Sequence, residues 1–178
     1  AFVKQIDRLP LPVASAPGFL VNAVLGPYML EAMRAVDEGL APETVDEAML
    51  AFGMPMGPIE LVDMVGLDVA MAAGRSLAGG DAEPPKCLRE RFAAGHLGKK
   101  SGKGFYDYRK GKPAKGAAGS VPAGLAARLV KPLLDRTQQL VSDGVVADAE
   151  LADAGVIFGT GFAPFTGGPL NYLRNQHA

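Results

Sequence analysis

A proline within an apolar run and a glycine closing it occur twice in this 178-residue chain at one spacing. That repetition limits the fold more than any other feature of the sequence. Pro27 and Gly39 recur as Pro132 and Gly144, both 105 residues further on. Ala48, Phe52 and Gly53 recur as Ala154, Phe158 and Gly159, 106 residues on, which puts a one-residue insertion in the loop between two helices. Pro55-Met56-Gly57-Pro58 is echoed by Pro164-Phe165-Thr166-Gly167-Gly168-Pro169 before another apolar helix start. Such punctuation can arise by chance in a Gly- and Pro-rich helical chain, but the offset shared by proline and glycine favours duplication of a helical hairpin. A pair of helices this small cannot cover its own apolar face, so a second copy would dock on the first with pseudo-twofold symmetry, as two subunits would.

Each element has its own local signals. Leu20, Val24, Tyr28, Met33, Val36 and Leu40 recur at helical spacing between Pro17 and Gly39, and Pro27 should kink this helix rather than end it. The next helix has Pro42 in its first turn, Glu43 and Asp46 near the positive end of its dipole, Val45, Met49 and Phe52 on one face, and Gly53 as its stop. Ile59 to Leu77 carries Leu61, Val62, Val65, Val69 and Leu77 on one stripe, although Gly66 and Gly74 weaken it. A short helix from Cys87 to Ala94 follows Pro84-Pro85, and the glycine-rich run from Gly98 leads into strand-like Phe105-Tyr106-Asp107-Tyr108. Residues 110–120 are Gly, Lys, Ala and Pro apart from a final Ser, the composition of a linker. The expectation is an all-α chain with two tandem related helical sub-domains, 14–109 and 121–178, each opening on a long kinked helix. Residues 1–13, extended and bounded by Pro10 and Pro12, read as the tail of a preceding domain.

Several function classes are disfavoured. Eighteen basic against 19 acidic residues, net charge -1, is no footprint for nucleic acid. Cys87 is the only cysteine, which excludes an internal disulfide and makes a reducing, cytoplasmic setting the simpler expectation. Leu9 to Leu30 and Ala154 to Leu173 are uncharged and long enough for membrane spans, but their prolines and glycines should interrupt any spanning helix. Gly102-Lys103-Gly104 and Gly159-Thr160-Gly161 are wrongly placed to cradle a pyrophosphate at a helix N-terminus. His96 and His177 are isolated, so no metal is expected, and His96 reads as a solvated loop residue rather than a general base. Met49, Met54, Met56, Met64 and Met71 are assigned to packing.

Three segments carry a specific resemblance: Pro17-Gly18-Phe19-Leu20-Val21-Asn22; Gly53 to Leu61 with Asp63, Gly66 and Asp68 after it; and Lys99 to Tyr108. In order and spacing they resemble C-domain motifs of the 3-hydroxyacyl-CoA dehydrogenase family. The second copy, with Gly159-Thr160-Gly161-Phe162-Ala163-Pro164-Phe165 and Gly167-Gly168, resembles the extra repeat of the multifunctional fatty-acid oxidation enzymes. The resemblance implies a fold like the C-terminal domain of 6-phosphogluconate dehydrogenase. It implies NAD as cofactor of the intact enzyme and none bound to this chain alone, because a missing Rossmann domain would supply nucleotide binding and a His/Glu pair. An acyl-CoA substrate, a hydratase domain and a thiolase subunit are the further partners implied. A 3-hydroxybutyryl-CoA dehydrogenase and a non-catalytic helical assembly module are the alternatives. The carry-over gives Asn22 a place near the reacting oxygen as catalytic residue and Lys100 the cofactor side of the cleft. For Asn22 the competing reading is a helix amide satisfied by backbone; for Lys100 it is a solvated basic loop in which Lys99 or Lys103 could exchange roles with it.

Overall fold

The computed structural model describes residues 10–77 and 83–176. These form α1 (Val21–Asp37), α2 (Pro42–Phe52), α3 (Pro58–Val65), α4 (Leu67–Leu77), α5 (Lys86–Ala93), a hairpin of β1 (Asp107–Arg109) and β2 (Lys112–Ala114), then α6 (Leu125–Ser142), α7 (Ala149–Thr160) and α8 (Pro169–Gln176). The chain is mostly helical, as expected, and no helix among the described residues is long and apolar enough to cross a membrane. Residues 1–9 of the presumed tail, and His177, lie outside the described residues.

The two long helices make the most extensive helix–helix contact in the molecule. Pro27 lies inside α1 and Pro132 inside α6. Each removes one backbone donor, yet both helices continue, because tertiary packing holds them. Leu20, Val24, Tyr28, Ala32 and Ala35 are buried, and so are Leu125, Leu129, Leu133, Thr137 and Leu140, each 105 residues on. Full burial of a large apolar side chain contributes ~1.5–3 kcal/mol, so this paired stripe is the main adhesive between the two halves. The helix ends match as well. Gly39 and Gly144 have φ +103° and +69°, and Leu40 N donates to Ala35 O as Val145 N does to Leu140 O, closing the same left-handed cap.

The structure shifts one expected pairing. Buried Val45, Asp46 and Met49 are matched by buried Ala152, Asp153 and Val156, 107 residues on, so the inter-helix loop holds two extra residues rather than one. Phe52 is half-buried, edge-on to Phe162 and Tyr172 at 5.8 and 5.3 Å, whereas Phe158 is 75 % exposed and is not its counterpart. Gly159 lies within α7; the left-handed stop is Gly161, at φ +73°. Gly155 and Gly159 therefore do not break the helix. They admit the start of α1 closely: an added Cβ would lie 2.6 Å from Leu20 Cδ2, just before the helix, and 2.4 Å from Val21 Cγ2 respectively.

The loops after α2 and α7 interlock reciprocally. A Cβ on Gly53 would meet Phe165 Cε1 at 2.5 Å, and one on Gly161 would meet Pro55 Cγ at the same distance. The stripe expected over Ile59 to Leu77 is divided into α3 and α4, because Gly66 adopts φ +101°, ψ 135°. This turns the residues that follow, and Val65 and Val69, on either side of the break, are exposed. Of the methionines assigned to packing, Met49 and Met54 are buried and Met71 packs against the core, while Met64 is 43 % exposed.

Candidate active-site wall

Asn22 stands in the first turn of α1, and its side chain is exposed. The turn that delivers it is unusual: Gly18 and Phe19 both have positive φ, +76° and +50°, before the chain enters the helix. Phe19 N donates to Ala16 O, and Ala23 N reaches back to Gly18 O at 3.3 Å. No side chain caps α1. Behind the turn, Leu20 and Val21 rest on the glycine face of α7, and Leu11 packs over Gly155 as well. The second half of the chain thus braces the residue that the first half presents.

Lys100 sits in a single 3-10 turn, Lys99–Ser101, between Gly98 (φ +87°) and Gly102 (φ +78°). Ser101 Oγ accepts from Leu97 N at 2.8 Å and lies within hydrogen-bond reach of the Gly98 and Lys103 carbonyls. Asp63 secures the stretch that follows. It is 1 % exposed, and its two oxygens accept from Phe105 N at 2.8 Å and Tyr106 N at 3.0 Å. Gly98 and Gly104 are required here, since a Cβ would lie 2.3 Å from Asp63 O and 2.0 Å from Asp63 Oδ1. Burial pushes the Asp63 carboxyl up, against these donors. Lys100 Nζ pairs with Asp68 Oδ1 at 2.5 Å, both side chains about half exposed, and this hydrogen bond holds the Asp68 carboxyl below its usual value. Lys103 faces Asp107 at 3.7 Å, and the Lys99 stem lies 4.0 Å from where a Cβ of Gly111 would stand. Asn22 and Lys100 thus occupy separate elements, the start of α1 and a turn packed on α3. His96 is half-buried in the loop after α5, where its backbone N–H closes that helix on Arg91 O.

The sequence did not reveal how this wall is held in place. Asp46, expected to serve the dipole of its own helix, is 1 % exposed and caps the next one, accepting from Ile59 N at 2.7 Å and Glu60 N at 3.2 Å. It also accepts from Tyr106 Oη at 2.8 Å and Lys115 Nζ at 2.9 Å. Burial raises the Asp46 carboxyl, opposed first by Lys115. Burial lowers the Lys115 ammonium, but Glu60, at 2.7 Å, and Asp46 outweigh it and hold the ammonium above its ordinary value. The lysine comes from the linker, which is pinned along α2: Gly116 N donates to Glu43 Oε1 and Gly119 N to Thr44 Oγ1. A chain with a docked lysine and two anchored amides is no free tether. Asp153 repeats the cap of Asp46, accepting from Leu170 N at 2.7 Å and Asn171 N at 3.0 Å. The available signal was Gly57-Pro58 and Gly168-Pro169: in each, the glycine admits the carboxylate, since its Cβ would lie 2.2 or 2.4 Å from an aspartate carbon.

Comparison with known proteins fits this architecture. The family model of the 3-hydroxyacyl-CoA dehydrogenase C-terminal domain matches residues 18–108, which include Asn22, Asp46, Asp63 and Lys100. The fatty acid oxidation complex subunit alpha of Shewanella sp. (strain MR-7) is 34% identical over 97% of this chain, and that of Shewanella baltica (strain OS155 / ATCC BAA-1091) 36% over the same share. The chain spans 27% of the length of either relative. Among solved structures, 3-hydroxybutyryl-CoA dehydrogenase from Escherichia coli K12 shares the fold, with TM-score 0.77 at 21% identity over 98% of this chain and 56% of that one. (S)-3-hydroxybutyryl-CoA dehydrogenase PaaH1 from Ralstonia eutropha is 41% identical over 61% of this chain and 41% of its own, with TM-score 0.56. The chain belongs to the 3-hydroxyacyl-CoA dehydrogenase C-terminal domain family.

Proposed function

We propose that this chain is the helical half of an NAD-dependent (S)-3-hydroxyacyl-CoA dehydrogenase of fatty-acid β-oxidation. On this reading it walls the acyl-CoA cleft and is inactive without a nucleotide-binding domain. The observation that carries the reading is Asn22: a neutral amide, exposed in the first turn of an uncapped helix and braced from behind by α7. Such an amide both donates and accepts, so it can orient a substrate oxygen or a proton acceptor without adding a competing charge. NAD, when bound, takes the hydride from C3 of the substrate. Lys100 suits the cofactor side because its ammonium is half-exposed on a turn set between Gly98 and Gly102 and clasped by the Ser101 hydroxyl. Asp68 keeps that ammonium oriented until an anionic partner competes for it.

The two capped hairpins, with Asp46 and Asp153 in matching places, are tandem repeats in this reading, 14–109 and 121–178 joined by 110–120. The second repeat then stands where a dimer partner would, and its function is to brace Asn22. A hydratase domain and a thiolase subunit are the expected companions of the full-length protein. A four-carbon substrate is the second reading, favoured by the 41% identity to the Ralstonia hydroxybutyryl-CoA enzyme.

The test uses the full-length enzyme. Asn22→Ala should lower kcat about 10²-fold, in the range set by removal of one oriented donor, with unfolding unchanged. Unchanged kinetics would return Asn22 to a plain helix residue. Dehydrogenation by residues 1–178 alone would refute the division of labour, and a comparison of four-carbon with long-chain thioesters separates the two substrate readings.

A further inference from the structure

Phe19 occupies a backbone conformation that its residue type disfavours. Its φ is +50°, and outside the β1–β2 turn it is the only described non-glycine residue with positive φ. An aromatic side chain there is strained, because Cβ crowds the backbone that glycine leaves free. Strain of this kind is tolerated in a fold when the side chain is well packed, but the Phe19 ring is 56 % exposed.

The second half of the chain offers an internal control. The position 105 residues after Phe19 is Gly124, which takes φ +78°. The position matching Asn22 is Ala127. The buried neighbours of this turn keep their character, Leu20 matching Leu125 and Val24 matching Leu129, all at most 4 % exposed. So the fold needs the left-handed turn and the apolar stripe, and glycine supplies the turn without strain. What the first half has and the second lacks is an exposed ring and an exposed amide, three residues apart at a helix start.

We infer that Phe19 is a specificity-determining residue whose ring contacts the hydrocarbon of the acyl chain beyond C4. The inference rests on the dehydrogenase reading above, in which the Asn22 amide faces the oxygen on C3. On that reading, a ring three residues before the amide, at the same helix start, meets the acyl carbons beyond C4. The segment around it, Leu9 to Leu30, carries no charge, so it does not suit the phosphate-bearing end of the thioester. The glycine face of α7 holds Leu20 and Val21 in place, which anchors the backbone next to the ring. Fixed apolar walls discriminate by length, because each methylene gained or lost in contact changes transition-state binding.

The experiment compares full-length enzyme with its Phe19→Gly variant on 3-hydroxyacyl-CoA substrates of four, ten and sixteen carbons, together with thermal unfolding. The expected result is a fall in kcat/KM of about tenfold for the longer chains, less than twofold for four carbons, and an unfolding midpoint at or above that of the parent. An unchanged chain-length profile overturns the inference. So does an equal loss at every length, which would make Phe19 a packing contact with another domain, and so does a lowered midpoint, which would mean that the ring stabilises the fold. A parent enzyme that oxidises none of the three substrates overturns the dehydrogenase reading itself, and this inference with it.

Discussion

Asp46→Ala should be one of the costliest single substitutions in the chain, and the second repeat supplies its control. Removing the carboxylate strands Ile59 N and Glu60 N at the start of α3, where loss of a cap costs ~1–2 kcal/mol. It also strands the hydroxyl of Tyr106, which is 3 % exposed; a buried donor left without a partner costs a further ~1–3 kcal/mol. Lys115 adds little, because its side chain is 25 % exposed and keeps Glu60 at 2.7 Å. The expected loss is ~2–5 kcal/mol, which for a chain of this size lowers the thermal midpoint by ~10 °C. Asp153→Ala removes only the two amide contacts of Leu170 and Asn171, its remaining neighbour Arg174 lying at 3.9 Å and 61 % exposed, so it should cost ~1–2 kcal/mol. Urea unfolding followed by far-ultraviolet circular dichroism measures both. A double-mutant cycle with Tyr106→Phe should return a coupling of ~1 kcal/mol or more with Asp46 and none with Asp153. Equal losses for the two aspartates, or a larger one for Asp153, would refute the view that the first cap is also the hub joining α2, α3, the strand hairpin and the linker.

Two further outcomes follow from close contacts elsewhere. Gly159→Ala should destabilise by ~1 kcal/mol or more in urea unfolding, although alanine favours helices, because the new methyl meets the β-branched Val21 at 2.4 Å; a gain in stability would mean that α7 stands off from α1. Asp37 accepts from Lys86 N and Cys87 N at 2.8 Å each, and although burial pushes its carboxyl up, these contacts outweigh it and hold the carboxyl below its usual value. A lowered folded-state value contributes stability above the unfolded value of ~3.9 that is lost as pH falls through the folded one. The stability gap between parent and Asp37→Asn should therefore be widest above about pH 4 and close in more acid solution, and a gap that ignores pH would refute the capping role.

What local chemistry dictates was legible in the sequence. Helical period placed the stripe of α1, and the repeated proline and glycine placed α6; Pro42 marked the start of one helix, and Gly39, Gly53 and Gly144 marked stops, because φ preference and a missing donor act within a few residues. The family motifs singled out Asn22 and Lys100 as candidates, and nothing in them signals the ion pair that Lys100 makes with Asp68. Only the tertiary structure decided which carboxylate serves which helix. Asp46 reaches Ile59 across 13 residues and Lys115 across 69, and Asp63 reaches Tyr106 across 43. No periodicity encodes such pairings. They exist because a helix start buried without side-chain caps must find acceptors somewhere, and close packing chooses the donors and acceptors that meet. The same holds for Gly155 and Gly159, helix breakers by propensity and contact points in fact: propensity is worth about 1 kcal/mol per residue, and the packing of two helix faces exceeds it.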